Sequence, residues 1–159
     1  MAAWWTGLLA LVGCERAGLD SLEAGRSSAA DVRQVLGTPD HLRTQADGTQ
    51  VLEFPRGPEG QRTYFVWVDA QGRFQRYEQV LRPDNFARIG TGASEAEVRA
   101  LLGRPAAIAT YAPRPDEAVW TWRWLKDERE AMVFRIYFGP EGTVRRTETA
   151  SDPRTMAGA

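Results

Sequence analysis

The sequence predicts an α+β protein made of two tandem ααβββ units, each a helix pair packed on a three-stranded antiparallel meander sheet. Three observations predict it: a helix-forming segment that occurs twice, a change from helical to alternating periodicity after each copy, and turn residues bounding three strand-like runs per half. The repeated segment reads SAADVRQVLGTP at 28–39 and SEAEVRALLGRP at 94–105. The constant offset, 94 − 28 = 66, aligns Ser28 with Ser94, Asp31 with Glu97, Val32 with Val98, Arg33 with Arg99, Leu36 with Leu102, Gly37 with Gly103 and Pro39 with Pro105. The likeness continues with small shifts: Leu22–Gly25 resembles Ile89–Gly92, and the turn Asp69–Gly72 corresponds to Gly139–Gly142.

The first repeat, residues 20–82, is expected to open with a short helix over Asp20–Ala24 that stops at Gly25. The longer helix follows. Ser28 caps its N-terminus and Asp31 stands in the first turn, where a carboxylate satisfies orphan backbone N–H groups and favours the positive dipole end. Asp31 is shorter than Glu97 and is expected to be the poorer capping partner. Val32, Val35 and Leu36 recur at three and four residues and form one apolar stripe, and Gly37 and Pro39 end the helix. Strands are then expected around Val51–Phe54, Tyr64–Val68 and Phe74–Leu81, bounded by turns at Asp47-Gly48, Gly57–Gly60 and Gly72. The second repeat, residues 83–150, restates this order with a short helix over Asp84–Ile89, a longer one from Ser94 to Gly103, and strands over Val119–Leu125, Met132–Phe138 and Thr143–Thr149. Residues 151–159, which include Pro153 and Gly158 and show no periodicity, are expected to be a disordered tail.

Charge narrows the function classes. With 20 basic and 21 acidic residues the chain has no polybasic footprint for nucleic acid and no acidic tail. Cys14 is the single cysteine, so an intrachain disulfide is impossible and the 43% hydrophobic content must supply the core.

The N-terminus carries a separate signal. An uncharged apolar run from Trp4 to Gly13 ends at Cys14. It is too short for a transmembrane helix, which needs roughly 20 apolar residues, but it fits the apolar region of a secretory signal with small residues before a cleavage point. The segment resembles a lipobox, so residues 1–13 are expected to be a lipoprotein signal peptide and Cys14 the lipidated mature N-terminus, followed by a tether over 14–19. The resemblance implies a diacylglyceryl group on the thiol and a further acyl chain, such as palmitate, on the amine; two or more chains give stable anchoring. Glu15 is not the aspartate that signals inner-membrane retention, so the outer membrane is the expected location, on its periplasmic face. No Lys or Arg precedes Arg16, and initiation is therefore expected upstream of Met1.

A search for chemistry finds little. His41 is the sole histidine and is expected in a polar loop; no cofactor and no metal site is expected. Ser28 and Ser94 read as caps rather than nucleophiles, for neither sits in a Gly-x-Ser-x-Gly elbow. The acidic groups Asp116-Glu117 and Asp127-Glu128-Glu130 are expected in solvated turns, without a twelve-residue calcium loop. The chain is read as a protein other than an enzyme.

The cysteine context and the order of short helix, Gly, Ser-x-x-acid-Val-Arg-x-x-Leu-Gly-x-Pro and three-stranded meander resemble the SmpA/OmlA (BamE-like) outer-membrane lipoproteins. The resemblance covers both repeats. It implies a non-catalytic periplasmic module with the β-barrel assembly machinery as partner, acting in outer-membrane protein assembly or envelope integrity. The doubling also resembles the β-lactamase inhibitor proteins, whose paired units grip an enzyme with a concave sheet; a binding protein of that kind is the alternative.

One strand suggests a contact surface. Trp120, Trp122 and Trp124 alternate with Val119, Thr121, Arg123 and Leu125. The indoles either pack beneath the second long helix with Val98 and Leu102 or stay exposed as a binding hot spot with Arg123 and Tyr137. Trp67 and Tyr77 extend such a surface in the first copy.

Overall fold

A computed structural model describes residues 18–111 and 114–156. The expected signal segment 1–13 and Cys14 lie outside the described residues. The first half contains α1 (Ala29–Leu36), β1 (His41–Thr44), β2 (Gln50–Arg56), a 3₁₀ turn (Pro58–Gly60), β3 (Arg62–Val68) and β4 (Phe74–Gln79). After them come α2 (Pro83–Phe86), α3 (Glu95–Leu102), β5 (Ala107–Tyr111), β6 (Arg114–Lys126), β7 (Glu130–Phe138), β8 (Val144–Ser151) and α4 (Pro153–Met156).

The expected ααβββ units are corrected by these elements. The described residues form two four-stranded sheets, ordered β1-β2-β3-β4 and β5-β6-β7-β8, and the short connections between successive strands allow only antiparallel neighbours. The strands missing from the sequence reading are β1 and β5, which follow the helix-stopping Pro39 and Pro105. His41, expected in a loop, opens β1. Both runs are short, at four and five residues, and each is an edge strand that pairs on one side only. The first helix of each expected pair is also shorter than expected: among the described residues 18–20 are helical but 21–27 is turn and irregular chain, and α2 is a single turn. Costly nucleation explains this, since four or five residues close too few backbone bonds to hold a helix without extensive packing.

The long helices are capped alike. The Ser28 backbone N–H donates to Asp31 Oδ2 at 2.7 Å and the Asp31 N–H to Ser28 Oγ at 3.2 Å. The corresponding distances at Ser94 and Glu97 are 2.8 and 3.3 Å. The shorter Asp31 side chain thus closes its capping box as Glu97 does. These donors hold both exposed carboxyls below their ordinary pKa. Gly37 and Gly103 end the helices at φ 75°, each donating its N–H to the carbonyl four residues back.

Two compact units divide the described chain. One comprises residues up to Leu52 together with Val66–Tyr77; its core contains Leu19, Val32, Leu36, Val51, Leu52, Val66, Val68 and Phe74. The other comprises Glu53–Phe65 and the residues from Glu78 onward. Its core is aromatic. Phe86 of α2 stacks on Phe134 at 4.2 Å and meets Trp124 edge-on at 5.2 Å, while Trp120 contacts Phe138 at 4.8 Å. Trp122 Nε1 donates to the Gly103 carbonyl at 3.3 Å, which seats the indole row against the end of α3.

Residues 151–156 differ from the disordered tail expected over 151–159, of which 157–159 lie outside the described residues. Ser151 ends β8, Asp152 is buried, and Pro153–Met156 form a helical turn. Asp152 holds it there: its carboxylate accepts the Arg154 N–H at 3.1 Å and its carbonyl accepts Thr155 Oγ1–H at 2.7 Å.

Candidate functional site

Alternation along β6 sends Trp120, Trp122 and Trp124 to one face and Val119, Thr121 and Arg123 to the other. The three indoles are 6%, 1% and 4% exposed. The structure thus chooses core packing for them, and the hot-spot reading of these residues is corrected. Indoles large enough to fill the space under α2 and α3 leave water when the sheet forms, which favours burial.

The opposite face is set by register. Val119 lies beside Tyr137, which faces Arg146; Thr121 lies beside Arg135, which faces Glu148; Arg123 lies beside Val133, which faces Ala150. A register shift at Tyr137/Phe138 lets Val144 turn into the core opposite Phe138 while Arg146 stays opposite Tyr137. In this way one extra residue in β8 preserves both the apolar and the polar surface.

Two linked groups of side chains result. The Arg146 guanidinium lies 3.2 Å above the Tyr137 ring and its Nη2 is 3.2 Å from buried Glu117. Tyr137 Oη–H donates to Glu148 Oε2 at 2.6 Å, and Arg135 Nη1–H to Glu148 Oε1 at 3.3 Å. Burial pushes the Tyr137 phenol above its ordinary pKa, and its bond to the Glu148 carboxylate adds to this. Desolvation opposes the charge on Arg146, but contacts with Tyr137 and Glu117 outweigh it and raise the guanidinium above its ordinary value. Glu117, expected in a solvated turn, is instead part of β6 and only 3% exposed.

Arg123 has a different role from the exposed contact expected. Its Nε lies 2.6 Å from Glu59 Oε2 and 3.0 Å from Asp152 Oδ2, and its side chain is 10% exposed. Glu59, on the 3₁₀ turn, also pairs with Arg154. The cluster covers the lower end of the sheet face and ties down α4.

The first unit has a counterpart. Arg76 lies 3.4 Å above the Trp67 ring, and the offsets 137 − 67 and 146 − 76 are both 70. Tyr77, expected on this surface, instead donates its hydroxyl to Asp20 Oδ1 at 2.5 Å. From the sequence, Trp67 and Tyr137 were named and Glu117 was placed in a solvated turn, while Arg76, Arg146 and Glu148 were missed. Carrying the 70-residue offset of the Asp69–Gly72 turn through the following strand would have paired the two arginines.

The remaining candidates are structural in placement. Ser28 and Ser94 are caps, and Asp127 and Glu128 form the β6–β7 hairpin tip, at φ 50° and 62°. Among the described residues no group of three or more His, Cys, Asp or Glu is placed to hold a metal ion, and no helix is long and apolar enough to cross a membrane.

No protein-family model matches the chain, and no curated protein matches it. Among solved structures it is similar to a DUF4309 family protein, YjgB, from Bacillus subtilis, at 12% identity over 87% of this chain and 93% of that one, with a TM-score of 0.31. A likeness of that size assigns neither fold nor activity.

Proposed function

We propose that this protein is a non-catalytic interaction module, anchored through Cys14 to the periplasmic face of the outer membrane, that binds a protein partner in outer-membrane protein assembly or envelope integrity. The observation that carries the binding part is the guanidinium-over-aromatic pair repeated 70 residues apart, Trp67 with Arg76 and Tyr137 with Arg146. Both arginines are exposed. A flat aromatic ring under a guanidinium offers a partner apolar area and fixed charge together, at little cost in side-chain entropy, as favoured at protein interfaces. The anchoring part rests on the Trp4–Gly13 run before Cys14.

Affinity capture from detergent-solubilised membranes tests both parts. Recovery of barrel-assembly components with the native protein, reduced by Cys14→Ala and abolished by Arg76→Ala/Arg146→Ala, is the expected result. Recovery of a soluble enzyme equally with the native and Cys14→Ala forms overturns the anchored role and favours an inhibitor. Capture unaffected by the double arginine substitution refutes the paired-arginine surface.

A further inference from the structure

We infer that β5 is a self-association edge, through which two copies of this chain join by an antiparallel β5–β5 pair about a two-fold axis. Beyond its pairing with β6, β5 has no strand neighbour among the described residues, so a row of backbone donors and acceptors stands open along it. The other edges differ. The start of β8 is closed by Ala93 and Gly92, which bond both polar groups of Val144, and Gly25 and Ser27 do the same for Phe74 in β4. The first-sheet edge β1 carries His41 and Arg43, and charge on an edge strand discourages pairing.

β5 lacks such protection. It reads Ala-Ile-Ala-Thr-Tyr, without charge, proline or glycine. Residues 107–110 are all exposed, and Ile108, at 58%, is more exposed than Leu42, at 39%. Proteins usually blunt an open edge with a charge or a bulge, and the only register shift in this strand is at its end, between Thr110 and Tyr111.

A second copy fits this edge better than an arbitrary strand because the sequence is symmetric about Ile108. An antiparallel pair centred there sets Ile108 against Ile108 of the other copy and Ala107 against Ala109. Apolar meets apolar and small meets small, and no like charges face each other. A two-fold axis requires such self-complementarity. In this register three residues of each β5, Ala107 to Ala109, pair within the strand, about 10 Å of ladder and far less than a standard interface, so the dimer is expected to be weak.

Sedimentation of the full chain over a range of concentrations, in detergent where it is lipidated, tests this. Reversible dimerisation is expected, with its loss in Ile108→Lys, which opposes two like charges at the axis on a site too exposed to disturb the fold. Leu42→Lys, at an exposed apolar residue of β1, should leave the dimer unchanged. Register is read separately in a Cys14→Ser background: Ile108→Cys should form a disulfide-linked dimer, since directly opposed residues have Cβ atoms within about 5.5 Å, and Leu42→Cys should not. A monomer at all concentrations, a dimer that survives Ile108→Lys, or cross-linking no better at 108 than at 42 would overturn the inference. None of these outcomes bears on the arginine surface or on Cys14.

Discussion

Replacing Arg123 with Met should destabilise the protein by about 3–5 kcal/mol, the usual cost of removing one partner from a buried ion pair. Methionine keeps the apolar stem while deleting the cation. It leaves the Asp152 carboxylate, whose side chain is 5% exposed, without the Arg123 cation and with the Arg154 N–H as its hydrogen-bond donor. Glu59 loses a partner as well, but it is 41% exposed and still pairs with Arg154, so its share is at most about 1 kcal/mol. The penalty therefore belongs to Asp152. Adding Asp152→Asn removes the stranded charge, and the double-mutant cycle should return a coupling energy of about 2–3 kcal/mol. Urea unfolding is the assay. With a slope of about 1–3 kcal/mol/M in urea, the midpoint should fall by about 1–5 M in Arg123→Met at unchanged slope. A cost below about 1 kcal/mol, or additive effects of the two substitutions, would refute the reasoning, since the carboxylate would then be adequately solvated without the arginine.

The glycines ending α1 and α3 separate backbone strain from packing. Both sit at φ 75°, but a Cβ on Gly37 meets nothing within 4 Å, whereas one on Gly103 lies 2.5 Å from Glu53 Oε1 and 3.1 Å from Phe65 Cε1. Gly103→Ala should cost about 1–3 kcal/mol more than Gly37→Ala in urea unfolding; equal costs would discount the packing. Trp122→Ala should cost about 3–5 kcal/mol and Trp122→Phe less, measured by thermal melting; a folded alanine variant with wild-type stability would contradict core burial. The capping carboxyls predict acid lability. Asp31 and Glu97 have folded pKa values depressed below 3.8 and 4.5, so their stabilisation is present above those ordinary values and is lost as pH falls through the lower folded ones. A melting temperature that declines with acidification, less steeply in Asp31→Asn/Glu97→Gln, is expected.

The sequence by itself determined the duplication and the local structure that short-range chemistry controls. Ser28, Asp31 and Gly37, like Ser94, Glu97 and Gly103, act on backbone groups within four residues, so helix starts and stops were legible without knowing the fold. The same holds for the turns at Gly72 and Gly142 and for the alternation that gives β6 and β7 two distinct faces. The tertiary structure alone decided the fourth strand of each sheet, for β1 and β5 are short runs that pairing with β2 and β6 completes. It also decided which face of β6 is covered. Alternation separates Trp122 from Arg123 but does not say which side meets α3, and both an indole row and a mixed polar row are compatible with either. The burial of Arg123 depends on Glu59 and Asp152, which lie 64 and 29 residues away along the chain. Contacts over such separations leave no periodic trace in the sequence, because each partner looks locally like an ordinary surface charge until folding brings the three together.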